Sequence, residues 1–174
     1  MNKSIPLLKV AILGDGNVGK TSLVRRYCED KFSSSRVLTI GVDFQTKVVE
    51  LPEQTVKLSV WDVAGQDRFR VVRENMYRGS LAAVLTYDLT DRQSLQHLRA
   101  WHEEITEAVP NIKYIIIGNK MDLLGDENQD IGHPPDTVDI PYLRTSALSG
   151  EGVSEMFELL AKVALKQYLL ASSG

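Results

Sequence analysis

Gly14-Asp15-Gly16-Asn17-Val18-Gly19-Lys20-Thr21 obeys the pattern G-x-x-x-x-G-K-[ST] at every fixed position. An apolar run, Leu7 to Leu13, precedes it, and a helix-compatible run from Thr21 follows. Strand, tight loop and helix start in that order constrain the chain to an α/β arrangement around a phosphate-sized hollow. The glycines let several backbone N–H groups converge on one anion. The helix start places a partial positive charge behind them. Lys20 supplies a full charge for outer phosphates, and the Thr21 hydroxyl is placed to ligate a Mg²⁺ that bridges two of them. The bland alternative is a glycine turn that holds nothing.

Six strands are expected: Leu7–Leu13, Val42–Leu51, Val56–Trp61, Leu81–Tyr87, Tyr114–Ile117 and Ile140–Arg144. The second and third pair as a hairpin around Pro52-Glu53, and the fourth is apolar enough to be buried on both faces. Helical spacing marks Thr21–Asp30, Gln93–Val109 and Val153–Leu170. Residues 31–38 read as a mobile polar loop, and residues 124–138, with two prolines and two glycines, as a loop or one short turn. Alternating strands and helices predict one domain, residues 1–174, built as a doubly wound, mostly parallel six-stranded sheet with helices on both faces. Ligands then belong at the carboxyl ends of the strands. The net charge of −3 gives no sign of a nucleic-acid partner, and the single cysteine, Cys28, excludes an internal disulfide. No apolar stretch approaches the roughly 20 residues needed to span a bilayer.

Four further segments fall at expected strand ends. Thr39, in the mobile loop, can close over a nucleotide and give its hydroxyl to Mg²⁺. Asp62 ends a strand, where a carboxylate can hold Mg²⁺. Gly65 then offers an unobstructed N–H, and Gln66 can orient an attacking water. Asn119-Lys120-Met121-Asp122 carries the discriminating carboxylate. Guanine presents N1–H and a 2-amino group side by side, whereas adenine would leave a desolvated carboxylate unpaired, a mismatch worth about 10⁴ in selectivity. Lys120 can lie along the base, and Asn119 can tie this loop to the phosphate loop. Ser146, Ala147 and Leu148 follow the last strand, where backbone N–H groups can meet guanine O6. Each segment alone is weak; their order and spacing make the set specific.

With Ile40–Phe44, Lys47–Leu51, Trp61–Phe69, Tyr77–Gly79 and Tyr87–Asp91 added, residues 7–170 resemble a small GTPase of the Ras superfamily, most closely the Rab branch. The resemblance implies a GTP/GDP switch with Mg²⁺ as cofactor. Residues 31–42 would be switch I and residues 64–80 switch II, read by effectors, exchange factors and GTPase-activating proteins. Ser22 joins the phosphate loop residues as a nucleotide contact, and Phe32 falls where the family sets an aromatic edge against guanine. The implied setting is cytoplasmic, in vesicle traffic, and peripheral to membranes only if a lipidated tail lies beyond this chain. Gln66, Lys20 and Thr39 would carry hydrolysis. A nucleotide-locked scaffold with little turnover is the alternative, and an ATP-dependent kinase conflicts with Asp122.

Several positions depart from the family. Arg36, three residues before Thr39, resembles the cis arginine of heterotrimeric G-protein α subunits and would neutralise charge on the leaving phosphate. Leu148 replaces the usual lysine of S-A-K, and Val63 the usual threonine of D-T-A-G-Q. The chain stops at Gly174 without a C-terminal cysteine, so either a tail was removed or there is no lipid anchor. His97, His102 and His133 have no partner at metal or catalytic spacing and are expected on the surface. Trp61 and Trp101 read as packing residues, with exposure at a partner surface the alternative for Trp61. Cys28 reads as a buried filler, and Arg68, Arg70, Arg73 and Arg78 as solvated, with contact to a partner the alternative for some of them.

Overall fold

The computed structural model describes residues 4–32, 41–125, 131, 132, 134, 137 and 139–174. Strand β1, Leu7–Leu13, sits at the centre of the sheet. Successive strand residues point to opposite faces. Leu8, Val10 and Ile12 therefore enter one core with Leu23 and Val24 of helix α1, Lys20–Glu29. Ala11 and Leu13 enter the other.

Strands β2, Val42–Glu50, and β3, Thr55–Val63, form the expected antiparallel hairpin. The 3₁₀ turn Asp67–Phe69 and helix α2, Arg70–Tyr77, come next, followed by β4, Ala82–Asp88. Helices α3, Arg92–Gln96, and α4, Leu98–Ala108, lead into β5, Lys113–Asn119. A single 3₁₀ turn, Met121–Leu123, precedes β6, Tyr142–Arg144, and helix α5, Val153–Ser172. The strand order is β2-β3-β1-β4-β5-β6, with every pair but the hairpin parallel. Phe157, Leu160 and Leu165 of α5 cover the face shared with α1, while Tyr77 of α2 and Leu98, Trp101 and Ile105 of α4 cover the opposite face. All seven residues of β4 are buried, as its apolar run predicts.

Register places the loops. Ile12 lies level with Asp62, Asp88 with Asn119, and Gly118 with Arg144. The segments after β1, β3, β5 and β6 therefore leave the sheet at one edge, on both sides of the central strand.

Three differences from the sequence reading have local causes. Helix α2 has no apolar signature because its buried positions are Arg73 and Tyr77, four apart, while Val71 and Val72 face solvent. The helix expected over 93–109 is two helices joined at His97, begun by Asp91, whose carboxylate accepts from Gln93 N–H at 2.9 Å. Strand β6 starts at Tyr142 because Ile140 is spent on a turn, its N–H donating to the Thr137 carbonyl at 2.9 Å. The described residues of 124–138 carry no helix or strand. Among the described residues, no helix is long and apolar enough to cross a membrane.

Candidate functional site

The loop from Gly14 to Gly19 runs from β1 into α1. Gly19 has φ +95°, and a Cβ there would stand 2.4 Å from Asn119 Nδ2, so only glycine fits both the turn and its neighbour. Asn17, at φ 70°, also takes the left-handed conformation, which asparagine tolerates better than most residues. Val18 is buried beneath the loop. Lys20 begins α1, and its ammonium donates to the carbonyls of Gly14 and Asp15, both at 2.6 Å. Burial lowers the Lys20 pKa to about 8, although Asp62 and Asp15 oppose the shift. A group held in this way gains most from an arriving anion.

Thr21, one residue on, donates its hydroxyl to the buried Asp62 carboxylate at the end of β3, and Ser22 follows in the same turn. The structure thus brings together Thr21 and Asp62, two of the three residues read as Mg²⁺ ligands. Among the described residues, no three His, Cys, Asp or Glu side chains group as a metal site. Two hard oxygen donors suit Mg²⁺, which keeps waters and substrate phosphate oxygens rather than a full protein cage. Gly65 leans on the phosphate loop so closely that a Cβ would lie 2.4 Å from Gly16 N. Gln66 is half-buried beside it.

The Asn119 carboxamide donates to the Val18 carbonyl at 2.9 Å and accepts from the Thr145 hydroxyl at 2.9 Å. This is the expected tie between the two loops. Lys120, at φ 66°, turns the chain, and its ammonium meets Asp88 at 2.7 Å. The Asp122 carboxylate accepts from the Ser146 hydroxyl at 2.6 Å, which brings together the two segments that the sequence reading assigns to a base. Ala147 is buried and Leu148 is half-exposed. Arg26 of α1 donates to the carbonyls of both, at 2.8 and 2.5 Å, and its guanidinium lies 5.9 Å from the Phe32 ring centre. Arg36, Thr39 and His133 lie outside the described residues.

Sequence reasoning missed a second layer. Asp15 turns its carboxylate away from the loop: the Trp101 indole N–H donates to Oδ1 at 2.7 Å, and His97 Nδ1 is 2.6 Å from Oδ2. Trp101 is thus more than packing, and His97 is exposed but partnered. Arg73, expected in solvent, is 1% exposed and forked onto Glu104 of α4, with both contacts at 2.8 Å. Burial works against its charge, yet Glu104 leaves the pKa above the usual guanidinium range. The one available signal was Glu104 itself, an acid inside the apolar stripe Leu98, Trp101, Ile105, which demands a cation. Arg68, Arg70 and Arg78 are exposed as expected. Cys28 is partly buried against the core, and burial pushes its thiol up.

Residues 9–166 match the model of the Ras family. The chain belongs to the Ras family. It is 38% identical over 170 residues to Ras-related protein Rab-1A of Dictyostelium discoideum, covering 95% of this chain and 84% of that protein. It is 40% identical over 163 residues to Ras-related protein Rab-4 of the same organism, covering 90% and 78%. This small GTPase of the Rab branch is accordingly a GTP-binding molecular switch with GTPase activity. Family members use Mg²⁺ with the nucleotide and engage effectors, exchange factors and GTPase-activating proteins. Nothing in the fold or the relatives favours the scaffold alternative.

Proposed function

We propose that residues 1–174 act as one GTP-binding domain that signals in vesicle traffic, with the nucleotide lying across the sheet edge from the Gly14–Thr21 loop to Asp122. The observation that carries this reading is the Asn119 carboxamide bridging Val18 and Thr145, which fixes the phosphate-directed and base-directed loops in one frame. Backbone N–H groups of Gly14 to Gly19 and the Lys20 ammonium hold the phosphates. Ser22 supports them from the first turn of α1. Asp122, braced by Ser146, accepts from the guanine N1–H and 2-amino groups. Ala147 and Leu148 supply backbone at the guanine carbonyl, Lys120 covers a base face, and Phe32 meets its edge.

Thr21 and Asp62 would hold Mg²⁺, with Thr39 as a further ligand. When bound, the metal offsets phosphate charge and aligns the phosphate oxygens. Gln66 orients a water whose oxygen bonds the γ-phosphorus as the bond to the β–γ bridging oxygen breaks, releasing GDP and inorganic phosphate. Gly65 N–H steadies the γ-phosphate. Lys20 counters the charge on the bridging oxygen, and Arg36 adds to it. Switches I and II would then present effector, exchange-factor and GTPase-activating surfaces in the cytoplasm, on a membrane face if a lipidated tail is present.

Extraction of the purified protein should release GDP or GTP, and added GTP should turn over with Mg²⁺. Equal calorimetric affinity for adenosine and guanosine nucleotides would overturn the assignment.

A further inference from the structure

We propose that Arg73 is a positioning residue for hydrolysis, holding the backbone on both sides of the Gly65–Gln66 peptide so that Gln66 meets the attacking water. The proposal rests on the reading of Gln66 given above. One arm of the Arg73 guanidinium is fixed, Nε and Nη2 donating to Glu104 Oε1 and Oε2 at 2.8 Å each. The other reaches the loop, Nη1 donating to the Ala64 carbonyl at 3.0 Å and the Gln66 carbonyl at 2.5 Å. Glu104 is itself braced by the Tyr77 hydroxyl at 2.6 Å. The Trp101 ring lies under the guanidinium, 4.6 Å from Cζ to its centre, and its indole N–H bonds Asp15 at 2.7 Å. Arg73 therefore links the Gln66 backbone to α4, and α4 is tied to the phosphate loop.

Stability alone does not call for this arrangement, since a buried ion pair is often matched by apolar side chains of similar volume. The placement of its donors does. A planar fork can hold a carboxylate with one edge and two carbonyls with another; an ammonium on a flexible stem cannot fix all of them at once. A displacement of about 1 Å in an orienting group costs about a hundredfold in rate, so a loop held on both sides of Gln66 matters to turnover more than to affinity.

The test is single-turnover hydrolysis of preloaded GTP by the wild type, Arg73→Met, Arg73→Lys, Gln66→Leu and the Gln66→Leu/Arg73→Met double variant, with GDP and GTP affinities measured alongside. Arg73→Met is expected to slow hydrolysis by about tenfold or more while both affinities stay within about threefold. In the Gln66→Leu background the same change should slow it by less than about twofold, because the residue that Arg73 positions is gone. An unchanged rate, an affinity loss as large as the rate loss, or an equal slowing in both backgrounds overturns the proposal. If Arg73→Met does not fold, Arg73→Lys decides: a reduced rate supports the fork, and a wild-type rate overturns it. If Gln66→Leu alone hydrolyses at the wild-type rate, the reading of Gln66 has failed and this proposal falls with it. Loss in Gln66→Leu without loss in the Arg73 variants fails this proposal alone.

Discussion

Asn119 and Val18 are 101 residues apart in sequence, yet the carboxamide of one donates to the carbonyl of the other at 2.9 Å. Both residues are 1% exposed. The bond joins the loop proposed to select a base to the loop proposed to hold phosphates, and Thr145 completes it from the far side by donating to Asn119 Oδ1.

Asn119→Ala leaves the Val18 carbonyl and the Thr145 hydroxyl without this partner. Loss of a buried hydrogen-bond partner costs about 1–3 kcal/mol. The expected outcome is lower stability by that amount in urea unfolding. Affinity should fall for GDP and GTP alike, because the bond orders both loops whichever nucleotide is present. A loss confined to GTP would contradict the bridging role.

The two ends of this bridge were legible because each lies in a contiguous motif. Gly14–Thr21 and Asn119–Asp122 each follow an apolar strand, and the parallel sheet delivers them to the same edge. Glu104 within its apolar stripe signalled a buried cation, but not which one: Arg73 lies 31 residues away and belongs to no motif. Arg73 also hid helix α2. A helix whose buried positions are an arginine and a tyrosine, and whose valines face solvent, inverts the pattern by which amphipathic helices are recognised. The departure at Leu148 was visible, but not its neighbour Arg26, which holds the Ala147 and Leu148 carbonyls from α1.

Arg26 therefore tests how the base-side loop is held where the family lysine is missing. Arg26→Met keeps the aliphatic stem and removes both donors. Hydrogen bonds from a charged group at a half-buried site contribute about 1–1.5 kcal/mol, so GDP should dissociate about five- to tenfold faster. Hydrolysis of GTP already bound should change little, since the Arg26 guanidinium acts on the Ala147 and Leu148 carbonyls. Release of a fluorescent GDP analogue and single-turnover hydrolysis read the two quantities separately.

Asp88 sets a pH dependence. Burial would raise its carboxyl, but the Lys120 ammonium, with the Thr90 hydroxyl and N–H, holds it below the usual carboxylate range. A depressed folded-state pKa contributes stability above the unfolded value of about 3.9 and loses it as pH falls through the folded value. Asp88→Asn removes that contribution. The gap in unfolding free energy between wild type and Asp88→Asn should be constant from about pH 7 to pH 5 and shrink below about pH 4. A gap that widens on acidification would reverse the assigned sign.

Gly65 carries the most severe steric prediction. A Cβ at this position would lie 2.4 Å from Gly16 N, 2.5 Å from the Asp15 carbonyl carbon and 2.6 Å from the Gly14 carbonyl oxygen. All three are backbone atoms, so no rotamer change relieves the clash, and the phosphate loop or the Ala64–Gln66 segment must move. Arg73 resists movement of the latter through the Ala64 and Gln66 carbonyls. Forced overpacking of this kind costs about 1–3 kcal/mol. Gly65→Ala should therefore lower the unfolding free energy by that amount and slow single-turnover hydrolysis by about tenfold or more, because the loop that presents Gln66 is pushed off the phosphate loop. Arg73→Met should soften the stability loss, since a loop released from its clamp can yield to the added methyl group. Equal losses from Gly65→Ala in the wild-type and Arg73→Met backgrounds would show that the phosphate loop, rather than the Gln66 segment, gives way.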